Sequence, residues 1–274
     1  SSFSSLYFNQ SYHIAYPTVI KSFNSDFGKG VSRYNYNFAF DAPPAVIGSL
    51  LPGTPNTNVF GSGDLMKEEH FKQLNSGLNG LVKVNEKIIN YKIDPDLQNE
   101  ILGYTVGFDG NYRIIIVGNP YDGNISSGTL VSYDLNKYFV RTRWRYIDQK
   151  TEKQYDTDGQ NPLTTTTNYF YENSNHLQPT KIEVIDSKGA VLKSETDYAH
   201  EINDTRLINE NRIAVPLKQV AYKDATKLSE QSTTYDDFNG NYLPKQVQVA
   251  KGNNSLEDRV FYHDYDAYGN PLEV

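Results

Sequence analysis

Aromatic and polar residues alternate along much of this chain with a period of two, which sends successive side chains to opposite faces of a β-strand. Tyr34, Tyr36, Phe38 and Phe40 show it first, behind Gly28 and Gly30, which read as turn residues. The stretch 41–63 breaks the pattern. Its prolines donate no backbone hydrogen bond and cannot extend a ladder. It nevertheless carries Val46, Ile47, Leu50 and Leu51, so it is either a loop pinned over the core or an apolar arm for a partner. Over 64–78 the spacing becomes helical. Asp64 can cap the segment, Glu68 and Glu69 sit where the macrodipole favours acids, and Phe71, Leu74 and Leu78 share one face. Gly77 and Gly80 would end it. Asp94 followed by Pro95 predicts a second short helix that stops before Gly103.

From residue 104 the pattern is strand, turn, strand. Segments 104–108 and 112–117 flank Asp109-Gly110, a dipeptide suited to a two-residue hairpin turn. The Ile114-Ile-Ile-Val run predicts a strand buried on both faces. Asp122-Gly123, Asp158-Gly159, Lys188-Gly189 and Asn239-Gly240 mark further turns, and 180–185, 247–249 and 260–262 alternate between them. The fold class expected is mainly β: consecutive antiparallel hairpins in an extended sheet, with one or two short helices near 64–102. The organisation expected is a mixed β region over 1–135 and a hairpin-repeat region over 136–274.

Composition supports a folded chain. The 274 residues include 22 Tyr and 13 Phe, which favour half-buried pleated surfaces and are scarce in disordered segments. A net charge of −7 argues against nucleic acid as the main partner. Arg141, Arg143 and Arg145 alternate with Thr142 and Trp144, which predicts a solvated strand face or an anion site. Cysteine is absent, which fits a cytosolic protein or an exported bacterial one. No apolar run approaches the length of a membrane-spanning helix. The chain opens at Ser1 without a signal segment and stops at Val274 just past a turn, and it is read as a piece of something longer.

Three segments of the second half can be superposed as text. Thr167-Asn-Tyr-Phe-Tyr171-Glu172 leads through Asn175 to Pro179 and an alternating strand. Thr233-Thr-Tyr235-Asp236 leads through Asn239-Gly240 to Pro244 and another. Tyr262-His-Asp264-Tyr265-Asp266 leads through Gly269-Asn270 to Pro271-Leu-Glu-Val. Tyr155-Asp156-Thr-Asp158-Gly159 is a shorter instance. In each, an acid after Tyr can accept backbone N–H groups of the turn, and Gly or Asn can take the positive-φ position. A single hairpin is not stable by itself, so such units would share one sheet.

Tyr265-Asp-Ala-Tyr-Gly-Asn-Pro-Leu resembles the signature of the RHS/YD-repeat family, and Tyr235-Asp-Asp-Phe-Asn-Gly-Asn is a looser copy. The stretch from about 146 to 274 is similar to RHS-containing surface proteins of Bacteroidetes. The resemblance implies a strand ribbon that can spiral into a shell around a C-terminal toxin. It also implies export across the outer membrane, of the type 9 secretion kind, and display or release at the cell surface. The repeats here are sparser than a dense YD array, and the family's self-cleaving core and toxin are absent from these residues.

Chemistry is hard to find in the text. His13, His70, His176, His200 and His263 form no metal-ligand spacing, and no nucleophile elbow or phosphate loop occurs. His70 reads as a solvated helical histidine. Calcium is the more tempting ligand, because Asp156, Asp158, Asp236, Asp237, Asp264 and Asp266 crowd the turns, but the spacing departs from the twelve-residue calcium loop. No cofactor is expected. The 33 acids always offer pairs for glycoside hydrolysis, yet nothing selects one pair. The sequence therefore predicts a non-enzymatic scaffold, adhesin-like or a section of shell wall, partnered by the rest of its own longer chain. Alternatives are a glycan-binding surface module, or a cargo of export machinery or a surface carrier.

Overall fold

A computed structural model describes residues 16–22, 30–38, 62–74, 80–117 and 125–274. The strands are β1 (Thr18–Ser22), β2 (Val31–Tyr36), β3 (Leu65–Gln73), β4 (Leu81–Val117), β5 (Ile125–Gln154), β6 (Leu163–Phe170), β7 (Lys181–Ile185) and β8 (Val191–Asp197). A five-residue helix, α1 (Thr205–Asn209), precedes β9 (Lys218–Lys223), β10 (Thr226–Phe238), β11 (Asn241–Lys251), β12 (Glu257–Phe261), β13 (Asp264–Tyr265) and β14 (Pro271–Glu273). Strands β1 to β12 form one sheet in strict sequence order, and β13 pairs with β14 in a two-stranded ribbon. Each strand thus neighbours its predecessor, as consecutive hairpins require.

The chain divides into two compact units, one of Ser1–Lys21, Arg33–Lys67 and Lys92–Tyr146, the other of Ser22–Ser32, Glu68–Tyr91 and Ile147–Val274. In the first, the predicted strand face of β5 is ion-paired and not merely solvated: Arg141 meets Glu100, and Arg145 meets Asp64. Trp144 stacks on Tyr146 with ring centroids 4.5 Å apart.

In the second unit the registers explain why a sheet so poor in buried apolar residues holds together. Lys181 lies opposite Glu195 and Glu183 opposite Lys193, so oppositely charged residues face each other across β7 and β8. The alternate positions, Ile182 and Val184 against Ser194 and Leu192, fall on the other face. Lys181 and Lys193 also lie over the rings of Phe170 and Tyr222, at 4.0 and 4.3 Å. The buried cluster is small. Ala199, Leu207 and Leu217 form it, with Ile208, Val215, Tyr235 and Tyr242 packed around them.

Three local expectations fail. Residues 64–78 were expected to be helical, but 65–73 are β3. The ladder places Glu69 in full burial, where Lys83 of β4 meets its carboxylate at 2.6 Å. Ladder pairing with β2 and β4 outweighs the weak helical preference of a short segment. Asp94 does accept the N–H groups of Asp96 and Leu97, as a cap would, yet 94–102 runs on within β4. Asp109-Gly110 makes no hairpin turn and is also inside β4. The turns at Asp158-Gly159, Lys188-Gly189 and Asn239-Gly240 are present. Val46, Ile47, Leu50, Leu51, Phe40, His13 and Asp122-Gly123 lie outside the described residues.

Candidate functional surface

Three turns of the second unit are built alike, each around one aspartate. At Asp156 the residue's N–H donates to Gln160 O at 3.0 Å, and Gly159 N–H donates to Asp156 O at 3.1 Å. The Asp156 carboxylate accepts the N–H groups of Asp158 and Gln160 at 3.0 and 2.7 Å. At Asp186 the corresponding donors to the carboxylate are Lys188 and Ala190, at 2.8 and 2.9 Å. At Asp266 they are Tyr268 and Asn270, at 2.9 and 2.8 Å. The glycines Gly159, Gly189 and Gly269 stand at φ +74°, +84° and +84°, the region that glycine enters without strain. The motif is Asp-x-x-Gly, and its carboxylate performs the work of a turn clamp.

Those N–H donors hold the carboxyls below the usual carboxylate range. Gln160 N–H is the largest cause at Asp156, Lys188 N–H at Asp186, and the Asn270 side chain at Asp266.

Tyr235-Asp236 belongs to a different turn. Phe238 pairs with Asn241 across Asn239-Gly240, both at positive φ. Asp237 accepts Gly240 N–H at 2.9 Å, while Asp236 pairs with Lys245 at 2.5 Å and accepts Asp237 N–H. Glu172, after Tyr171, accepts from Thr180 and lies 3.5 Å from Lys181. Asp264 accepts Tyr265 N–H. Among the described residues no group of three or more acidic or histidine side chains is arranged to hold a metal ion.

The tyrosines mark a second regularity. Pro179 and Pro216 stand two residues ahead of the hairpins β7–β8 and β9–β10, and Pro244 lies inside β11, two residues ahead of Gln246, which pairs with Phe261 of β12. In each, the carbonyl of the residue after proline receives an N–H from the returning strand: Thr196 to Thr180, Thr233 to Leu217, Tyr262 to Lys245, all at 2.8 Å. Two or three residues later comes Tyr198, Tyr235 or Tyr265. Tyr198 Oη donates to Pro179 O at 3.1 Å and Tyr265 Oη to Pro244 O at 2.6 Å. Burial pushes all three phenols up. Tyr155 instead donates to Glu86 at 2.9 Å.

The connection between β8 and β9 holds a corner that the sequence did not announce. Asp204 caps α1 by accepting Leu207 N–H and also receives Tyr242 Oη, each at 3.0 Å. Arg206 lies 4.7 Å over the Tyr242 ring and binds Asp237, Gly240 O and Glu210. Arg212 covers the Tyr235 ring at 5.4 Å. Beside this corner His176, with a fully buried side chain, lies 2.9 Å from Glu201 and accepts Gln178 N–H on Nδ1. Burial alone would raise the Glu201 carboxyl, but hydrogen bonds from His176, Asn173 and Tyr198 N–H bring it below its usual range.

Sequence reasoning missed Asp186, Tyr198 and α1. The spacing Asp-x-x-Gly, and a proline 19 residues ahead of Tyr198 and of Tyr235, are signals that could have found the first two.

No protein-family model matches the chain, and no curated protein matches its sequence. Among the described residues no helix is long and apolar enough to cross a membrane.

Proposed function

We propose that this chain is a structural repeat segment of an exported bacterial cell-surface protein, of the RHS/YD-repeat kind, serving as an adhesin-like scaffold or a section of toxin-shell wall. The observation that carries the reading is the threefold recurrence of a hairpin opened by proline and closed by a tyrosine. Each unit repeats the same backbone bond, and two of the three repeat the same phenol-to-carbonyl bond. Units of this kind add by edge pairing, so the sheet can lengthen one hairpin at a time. Carboxylates at the turns are occupied with N–H groups and cations, which suits a frame more than a catalyst.

The test is topographic. Intact source cells are treated with a protease that does not enter them and probed with an antibody to residues 136–274. Loss of the signal without lysis is expected. A signal that survives until the cells are broken overturns the surface assignment. Selective retention of the protein on a glycan array would favour a carbohydrate-binding module instead.

A further inference from the structure

Ser32, His70 and Glu68 form a hydrogen-bonded chain on neighbouring strands. Glu68 and His70 are two residues apart on β3 and so share a face, and Ser32 comes from β2. Ser32 Oγ lies 2.8 Å from His70 Nδ1, and His70 Nε2 lies 3.0 Å from Glu68 Oε1. The partners fix the proton. A carboxylate can only accept, so Nε2 carries a hydrogen, and in the neutral imidazole Nδ1 then presents its lone pair to the serine hydroxyl. That is the order of nucleophile, base and orienting acid by which a serine oxygen is activated.

Gly30 lets the strands come this close. It stands at φ +91°, and a Cβ there would lie 2.5 Å from Phe71 O. A side chain at this position would push β2 off β3 and lengthen the Ser32–His70 bond.

We propose that Ser32 is an acyl-acceptor site, primed by His70 and Glu68 for covalent modification by a small activated ester or thioester. The bond formed is Ser32 Oγ to the acyl carbon, and the bond broken is the donor's acyl C–O or C–S. The hydroxyl proton passes to His70 Nδ1 and then to the departing alkoxide or thiolate, while Glu68 steadies the imidazolium. No oxidant or reductant is needed. The His70 side chain is 38% exposed, so the base can be approached, but Ser32 is only 7% exposed. This inference is independent of the surface assignment.

The full chain is incubated with p-nitrophenyl acetate, and acetylation is located by mass spectrometry after digestion. Ser32 is expected to acquire the acetyl group faster than Ser194 or Ser232 in the same molecule. His70→Gln is expected to slow labelling at Ser32 by about 100-fold, the scale of general-base assistance, and Glu68→Gln to slow it by less. Far-UV circular dichroism checks that each variant keeps its sheet. Labelling of wild-type Ser32 no faster than of the other serines overturns the proposal without recourse to any variant. So does an unchanged rate in folded His70→Gln.

Discussion

Tyr265 donates its phenol hydrogen to the carbonyl of Pro244, 21 residues earlier, at 2.6 Å. The bond ties β13 back to β11. Tyr265 is 6% exposed, stacked on Tyr262 and edge-on to Phe238. Tyr265→Phe keeps the ring and removes the donor to the Pro244 carbonyl. The expected loss is about 1–2 kcal/mol in urea unfolding. Tyr198→Phe, which breaks the bond to Pro179, should cost a similar amount.

The turn aspartates give the fold an acid limb. In the folded chain the Asp156, Asp186 and Asp266 carboxyls titrate below the ordinary 3.8 because N–H groups stabilise their charged forms. Their contribution is therefore fully present above that value and is lost as pH falls through the depressed folded values. Stability measured between about pH 5 and pH 2 should drop more steeply for the native sequence than for an Asp156→Asn, Asp186→Asn, Asp266→Asn triple variant. Parallel curves would remove the clamps from this role.

Equivalent glycines should differ in tolerance. An L-residue at the left-handed position costs about 1–2 kcal/mol at either Gly159 or Gly189. Beyond that, a Cβ at Gly189 meets nothing within 4 Å, whereas one at Gly159 lies 3.1 Å from Val82 Cγ1 and 3.3 Å from Lys83 O. Gly159→Ala should lower the thermal midpoint more than Gly189→Ala.

Leu207 is the fully buried side chain that fastens α1 to the Tyr235 and Tyr242 rings. Leu207→Ala should destabilise the protein by about 2–5 kcal/mol, because the cavity cannot close around a short, hydrogen-bonded corner. Calorimetry will read the difference.

Lys83 joins Glu69 and Glu86, and its pKa is raised: burial works against the ammonium, but hydrogen bonds to the two carboxylates outweigh it. Lys83→Met withdraws the ammonium 2.6 Å from a carboxylate with no exposed surface, and should cost about 3–5 kcal/mol. Lys153→Met removes a charge 3.8 Å from Glu86 and should cost less in the same denaturant titration.

What the sequence determined by itself was the sheet and many of its turns. Period-two alternation and Asp or Asn beside Gly act through the backbone of a few consecutive residues, and 181–185 and 247–249 lie in strands accordingly. What the tertiary structure decided was everything set by partners distant in the chain. Phe71 and Leu74 have helical spacing, but 65–73 is a strand because β2 and β4 supply its ladder. Asp94 makes the bonds of a helix cap, yet the chain continues extended. The meeting of Ser32 with His70 and the bonds from Tyr198 and Tyr265 to proline carbonyls likewise depend on register. Local spacing fixes which face a side chain takes on its own strand; the pairing of strands fixes what it meets.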